Sequence, residues 1–143
     1  MVEPMKIKRI KEKHLESLRK IRNANREWFF NKDIISQESQ LSWYKSIKDN
    51  AKIKFYIIEI DEEVAGSLSL TKTKSGIEIG NILLDDRFRG KGIMTEAIKK
   101  IIKNKNKKFY ARIILENTAS QNLFERCGFV KSAYILELNV KNI

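Results

Sequence analysis

A mixed α/β (α+β) domain is the fold class predicted here, with element order β-α-α-β-β-β-α-β-α-β. Two observations predict it. Apolar residues change period along the chain: they alternate in "MKIKRI" and "VAGSLSL", but recur every three to four residues after residue 13 and again after residue 92. Short polar breaks punctuate the β-rich segments, and "DEE" between "KIKFYIIEI" and "VAGSLSL" reads as the turn of a hairpin.

The elements follow in order. "MKIKRI" is a short first strand. Leu15, Leu18, Ile21, Ala24 and Trp28 recur at helical spacing and predict a helix from about residue 13. After a loop near "FFNKDI", Ser36 is the N-cap of a second helix, with Glu38 in the first turn, where the helix dipole favours a carboxylate. Leu41, Tyr44 and Ile47 mark its apolar face. The hairpin comes next. Beyond "KSG", "IEIGNILL" is a further strand, and its Gly80 marks either a bulge or a tolerated small residue. Ile93, Met94, Ala97, Ile98, Ile101 and Ile102 form one helical stripe. "FYARIILE" reads as a buried strand, "TASQNLFERC" as a short helix closed by Gly128, and "FVKSAYILELNV" as a last strand. One domain over residues 1–143 is expected, with no linker and no internal repeat.

Composition narrows the function. Lys and Arg number 29 against 18 Asp and Glu, a net charge of +11, which favours anionic partners such as nucleic acid, phosphate-bearing cofactors or acidic surfaces. Much of that charge is also what solvates ordinary surfaces. Cys127 is the one cysteine and His14 the one histidine, so an intrachain disulfide, a cysteine metal cluster and a Ser-His-Asp triad are not expected. No apolar run reaches membrane-spanning length and the N-terminus has no signal-peptide core, so a soluble cytoplasmic protein is expected.

The segment "ILLDDRFRGKGIMTEAIKKIIK" carries the strongest chemical signal. It passes from a strand through a basic turn, with Arg87, Arg89 and Lys91 around Gly90 and Gly92, into a helix. A helix N-terminus offers unpaired N–H groups and partial positive charge to an anion, and glycine lets the backbone approach it. The turn lacks the Lys-Ser/Thr pair of a P-loop. It has Thr95 where a dinucleotide fingerprint needs its third glycine.

Arg87-Phe88-Arg89-Gly90-Lys91-Gly92 resembles the Arg/Gln-x-x-Gly-x-Gly/Ala motif of the GNAT superfamily of acetyl-CoA-dependent N-acetyltransferases. The segment from Asn117 to Phe129, "NTASQNLFERCGF", is similar to that family's Asn…Leu-Tyr-Glu-Lys-x-Gly-Phe signature. The resemblance implies a mostly antiparallel central sheet flanked by helices, and acetyl-CoA as cofactor. It implies a cofactor site made of Ile82, Leu83, Leu84, Arg87, Phe88, Arg89, Gly90, Lys91, Gly92, Ile93, Asn117, Asn122 and Phe124. The pyrophosphate would lie on the turn, and the pantetheine arm between "IEIGNILL" and "ARIILEN". Glu78 stands where some members carry a catalytic base, although strand alternation alone also puts an outward-facing carboxylate there. Phe124 occupies the place of the usual proton-donating tyrosine. Tyr134, Ser120 or a water is then left to give the leaving thiolate its proton.

The N-terminal segment "IRNANREWFFNKDIISQESQLSWYKSI" resembles, more distantly, the GNAT branch that acetylates amino sugars on nucleotide carriers. That likeness implies an acceptor site of Arg22, Asn23, Arg26, Phe29 and Trp43, with the arginines on a diphosphate and the aromatics on a sugar or base. Trp28 falls on the helical stripe and is assigned to the core, whereas Trp43 sits at the edge of its helix face. The expected activity is transfer of acetyl to a primary amine on a small molecule, such as a nucleotide-linked amino sugar. A protein N-terminus or lysine as acceptor, a CoA-sensing module and a basic nucleic-acid binder are the alternatives. Few residues follow Phe129 and no turn signal lies in "SAYILELNV". The last strand is therefore missing, fused or supplied by a partner, and a homodimer is possible.

Overall fold

The computed structural model describes residues 4–140. Strand β1 (Met5–Arg9) pairs antiparallel with β2 (Ile53–Ile60), β2 with β3 (Glu63–Thr73), and β3 with β4 (Gly76–Leu84). The short β5 (Phe109–Tyr110) lies parallel to β4 at the other end of a sheet ordered β1-β2-β3-β4-β5. Helices α1 (Leu15–Ala24) and α2 (Gln37–Ile47) precede the hairpins, α3 (Ile93–Ile102) joins β4 to β5, and α4 (Thr118–Arg126) follows β5.

The β2–β3 turn is as tight as the sequence predicts. Ile60 pairs with Glu63, and Asp61 and Glu62 between them both have positive φ, 50° and 65°, the backbone that matches the twist of a two-residue hairpin. β2 is apolar on both faces because both are covered. Phe55 and Ile57 join Leu18, Ile21 and Ile47 of the α1–α2 layer, while Ile58 and Ile60 join Ile93, Ala97, Ile98 and Leu123 of the α3–α4 layer. Burying each such Ile or Leu contributes about 1.5–3 kcal/mol. The stripe predicted for α3 is buried at Ile93, Met94, Ala97, Ile98 and Ile101. Ser36 caps α2 by accepting from the Ser39 N–H.

Three expectations are corrected. Helix α1 ends at Ala24, so Trp28 falls in a short 3-10 turn and off the helical stripe. The segment "FYARIILE" pairs only at Phe109 and Tyr110, because beyond them it diverges from β4 and, among the described residues, no strand lies on its other edge; Leu115 is 78% exposed. The last predicted strand does not form. Among the described residues after Phe129 there is no strand pairing, and the apolar side chains are exposed.

One polar cluster ties β1, β2 and α1 together. The Glu59 carboxylate takes an ion pair from Lys8 at 2.8 Å and faces His14 Nε2 at 3.4 Å. His14 Nδ1 accepts the Lys11 N–H at 2.9 Å, which requires a lone pair on that nitrogen. Burial lowers the His14 pKa below its ordinary 6.5, outweighing the pull of Glu59. The hydrogen bond from Lys8 lowers that of Glu59 below 4.5. Both folded values lie below the unfolded ones, so the unfolded chain takes up protons first and stability falls as pH drops. Thermal unfolding should be flat above pH 6.5 and should weaken below it as His14 protonates, then again below 4.5. His14→Gln keeps an acceptor for the Lys11 N–H but cannot titrate. It should remove the first decline and leave the second.

Candidate active site

The site forms where β4 and β5 part. β4 pairs with β5 only at Ile77–Phe109 and Glu78–Tyr110, and the strands then separate. On the opposite edge of β4, Ser69 pairs with Gly80 and Ser67 with Leu83, so Leu68 faces both Asn81 and Ile82 across a bulge. The bulge centres on Asn81, with φ of 51°, a conformation asparagine tolerates better than most residues. Two buried serines hold it: Ser67 Oγ donates to the Asn81 carbonyl at 2.7 Å, and Asn81 Nδ2 donates to Ser69 Oγ at 2.9 Å. Gly80 borders the bulge in regular pairing with Ser69, and the bulge itself falls at Asn81. Gly66 allows the close approach of β3 beside it, since a Cβ there would lie 2.0 Å from the Leu83 carbonyl oxygen.

The gap opens into a cavity of about 460 Å³. It is lined by Gly80, Asn81 and Ile82 of β4, Ala111, Arg112 and Ile113 after β5, Asn117, Ser120 and Phe124 at α4, and Arg22, Trp28, Phe29, Phe30 and Asn31 from the N-terminal segment. Asn117 caps α4 by accepting from the Ser120 N–H at 3.0 Å. Phe124 is buried and stands edge-on to Phe129, with ring centroids 5.1 Å apart, so it forms apolar floor.

Charge in the cavity comes from Glu78, Arg112 and Arg22. Arg112 Nε donates to Glu78 Oε2 at 2.7 Å, and this hydrogen bond raises the Arg112 pKa further above its ordinary range. The Arg22 guanidinium stacks over Phe29 at 3.8 Å from the ring centroid, and Nη2 donates to the Asn31 carbonyl at 2.6 Å. Its Nη1 is buried with no hydrogen-bond partner, and burial lowers the Arg22 pKa. Asn23 fixes the loop carrying these groups, exchanging hydrogen bonds of 2.8 and 3.0 Å with the backbone of Ile35.

The basic turn adjoins α3. Gly90 and Gly92 both take left-handed backbone, φ 77° and 74°, and a Cβ at either would meet nothing within 4 Å. Among the described residues, the N–H groups of Gly90 and Gly92 donate to no protein acceptor, whereas the Arg89 N–H closes a turn onto Asp86. The arginine side chains are engaged elsewhere. Arg87 is held by Asp85 and Glu63, and Arg89 by Asp86 and by the Asn25 side chain at 2.6 Å. The cradle is therefore backbone in origin: glycine N–H groups at a helix start, shaped by arginines that stiffen the turn. Such a turn offers its N–H groups to an anion.

Several predicted site residues lie elsewhere. Trp43 packs edge-on against Phe55 in the α1–α2 core, ring centroids 5.0 Å apart, while Trp28 is 39% exposed and lines the cavity. The expected roles of the two tryptophans are thus exchanged. Leu83 faces the α1–α2 core, Leu84 packs against the α3–α4 core, and Phe88 and Ile93 are buried in that same core beneath the turn. Asn122 is exposed outside the cavity, and Arg26 bonds to the Asn23 carbonyl on the surface. Tyr134 is 81% exposed on the C-terminal segment and does not line this chain's cavity. Burial raises the pKa of Cys127, which suits a packing role. Arg112, Asn81, Phe30 and Asn31 are among the lining residues that sequence reading missed. Arg112 had a signal, a charge inside an otherwise apolar strand-like run.

A sheet that splays beside a glycine turn at a helix start can take an extended ligand that ends in an anion. The sequence model of the acetyltransferase (GNAT) family matches residues 15–129, and the chain belongs to that family. No curated protein sequence matches it. Among solved structures it resembles spermidine N-acetyltransferase from Vibrio cholerae in complex with CoA and spermine (19% identity, 96% of this chain and 88% of that one, TM-score 0.77). It also resembles RimL, a ribosomal L7/L12 alpha-N-protein acetyltransferase in complex with coenzyme A (21% identity, 93% and 86%, TM-score 0.76). A third is the microcin C7 self-immunity acetyltransferase MccE in complex with acetyl-CoA and AMP (25% identity, 82% and 72%, TM-score 0.68). The chain is an acetyl-CoA-dependent acetyltransferase. Among the described residues, no helix is long and apolar enough to cross a membrane.

Proposed function

We propose that this enzyme acetylates the primary amine of a small acceptor that also carries an anionic group, a nucleotide-linked amino sugar being the best-fitting class. The observation that carries this reading is Arg22. Its Nη1 is buried without a partner at the cavity wall, and an unpaired buried donor of a charged group is costly unless a ligand completes it. Among the described lining residues the one carboxylate, Glu78, is already paired to Arg112, so Arg22 leaves that lining net positive. That balance suits a phosphate or carboxylate and disfavours a polycation such as the spermine bound by the Vibrio neighbour. Trp28, Phe29 and Phe30 offer aromatic faces for a sugar or base. The AMP bound by MccE supports a nucleotide-bearing acceptor.

Bound acetyl-CoA supplies the thioester acetyl group. The chain's own residues do the rest. Gly90 and Gly92 hold the diphosphate through their N–H groups, Glu78 takes the proton of the attacking amine, and Ser120, which lines the cavity with Asn117 and Phe124, can donate a hydrogen bond to the leaving thiolate, which then takes its proton from water. A cytoplasmic setting suits these substrates.

The test is thiol release from acetyl-CoA across a panel of nucleotide amino sugars, amino acids, polyamines and peptides. Turnover should be fastest on anionic acceptors, and Arg22→Ala should raise their KM about tenfold or more while leaving KM for acetyl-CoA unchanged. Preferred turnover of spermine-like amines or peptides overturns the acceptor assignment.

A further inference from the structure

We infer that this enzyme, whatever amine it acetylates, also carries a docking surface for a nucleic-acid duplex. The surface lies at the end of the sheet where β2, β4 and β5 begin, and it holds the duplex by its phosphates.

Three stretches distant in sequence meet at that end. The Lys72 N–H donates to the Lys52 carbonyl at 2.9 Å, Lys72 pairs with Ile77, and the Ile77 N–H donates to the Lys108 carbonyl at 2.8 Å. Four neighbouring strands therefore set Lys52 and Lys108 about 15 Å apart, three strand spacings. Lys54 stands opposite Leu70 and Lys72 opposite Ile77, and both apolar partners face the α3–α4 core, so these two lysines share that face of the sheet. Lys74 sits in the β3–β4 turn. Lys103, Lys105 and Lys107 follow on the connection that brings α3 down to the start of β5.

The charge gathered there is uncompensated. Residues 50–58, 70–77 and 99–110 contain no Asp or Glu. The eight lysines are exposed, and among the described residues no carboxylate pairs with any of them. Lys105 also donates to the Ile101 carbonyl at the end of α3. Glu78, the next carboxylate along β4, is already taken by Arg112. Elsewhere, Lys8, Arg19, Arg87 and Arg89 each face a carboxylate. Against a net charge of +11 for the whole chain, eight unpaired positive charges at one end are a concentrated field.

The residue types select the partner. Lysine is a compact, hydrated point charge that suits phosphate oxygens, and such contacts position a duplex without reading its sequence. A protein partner is held by aromatic, Met or Arg anchors, and its interface is depleted in Lys. A membrane-surface site adds apolar side chains that enter the bilayer. The large exposed apolar side chains, from Trp28 and Phe30 to Leu115 and the residues after Phe129, all lie outside these three stretches. A single-strand site stacks bases on exposed rings. Here Phe109 packs against the core, and the Tyr110 hydroxyl is bonded to Thr73 at 2.9 Å. A row of lysines about 15 Å long lies alongside four or five phosphates of one strand of a duplex, at about 3.4 Å of axis each. None of the eight lines the catalytic cavity, and the glycine turn follows the opposite end of β4, so docking and acetyl transfer use separate surfaces.

The test is fluorescence anisotropy of labelled 20-base-pair DNA and RNA duplexes of mixed sequence, titrated with the full chain between 50 and 300 mM NaCl. At 50 mM the Kd should be micromolar and indifferent to sequence. The logarithm of the association constant should fall against the logarithm of salt with a slope of about −4 to −5, the release expected for about five phosphates. Lys72→Glu/Lys74→Glu/Lys108→Glu should weaken binding at least thirtyfold and flatten that slope. Lys20→Glu/Arg126→Glu/Lys131→Glu, the same change in net charge placed elsewhere, should weaken it less than threefold. Coenzyme A affinity and the circular dichroism spectrum should be unchanged in both variants, which separates lost docking from lost fold. The milder Lys72→Gln/Lys74→Gln/Lys108→Gln should weaken binding about tenfold. A preference for DNA or for RNA within this pattern supports the proposal and identifies the duplex. Absence of binding at 50 mM NaCl, equal losses in the two charge-reversed variants, displacement of the duplex by coenzyme A, or tighter binding to polyglutamate or phosphatidylserine vesicles would overturn it.

Discussion

Gly90→Glu should weaken acetyl-CoA binding at least a hundredfold while leaving the fold intact. Two effects add. Gly90 has φ of 77°, where a residue with a Cβ is strained, at roughly 1–2 kcal/mol. The new side chain would also enter space that nothing in the protein fills, beside the unpaired N–H groups at the start of α3, and set a carboxylate against a diphosphate. Gly90→Ala separates the two, because it carries the strain without the charge. It should lower affinity only severalfold and cost a comparable amount of stability. Isothermal titration with coenzyme A reads both. If Gly90→Glu binds as the unsubstituted chain does, the diphosphate does not lie on this turn. The neighbouring arginines predict a milder outcome than their charge suggests. Arg87 and Arg89 already face Asp85, Glu63 and Asp86, so replacing either would act mainly by loosening the turn.

Local pattern was enough for elements whose partners are near in sequence. The hairpins, the α3 stripe, the Ser36 cap and the glycine turn were all legible because periodicity and capping chemistry are short-range. What failed depended on what lies across the structure. Trp28 and Trp43 have the same composition signal, and only the end of α1 at Ala24 decides which one turns toward the cavity. The bulge at Asn81 is fixed by Ser67 and Ser69 from another strand, so Gly80 drew attention that belonged to its neighbour. "FYARIILE" and "SAYILELNV" have strand patterns, yet among the described residues only Phe109 and Tyr110 pair. A pattern records that an apolar face needs covering, and leaves open what covers it.

Glu78→Gln should lower kcat about a hundredfold, with affinity for acetyl-CoA and the melting temperature unchanged. A primary amine with a pKa near 10 is protonated at neutral pH and has no lone pair to attack with, so one proton must leave before or during attack. A positioned base contributes about 10²–10⁴-fold to such a step. Among the described residues, Glu78 is the only carboxylate lining the cavity, and it sits at the last β4 position paired with β5, where the strands begin to part. Arg112 grips it through Nε at 2.7 Å and Nη2 at 3.4 Å, which fixes its direction and leaves each oxygen lone-pair capacity for a proton. Glutamine is the informative replacement: its amide oxygen still accepts from Arg112, so the wall keeps its shape, but it cannot take a proton at neutral pH. A fall in kcat with unchanged coenzyme A binding assigns Glu78 to proton transfer. A kcat within about twofold of the unsubstituted enzyme reduces Glu78 to the anchor of Arg112 and means that the acceptor amine loses its proton to water before it enters.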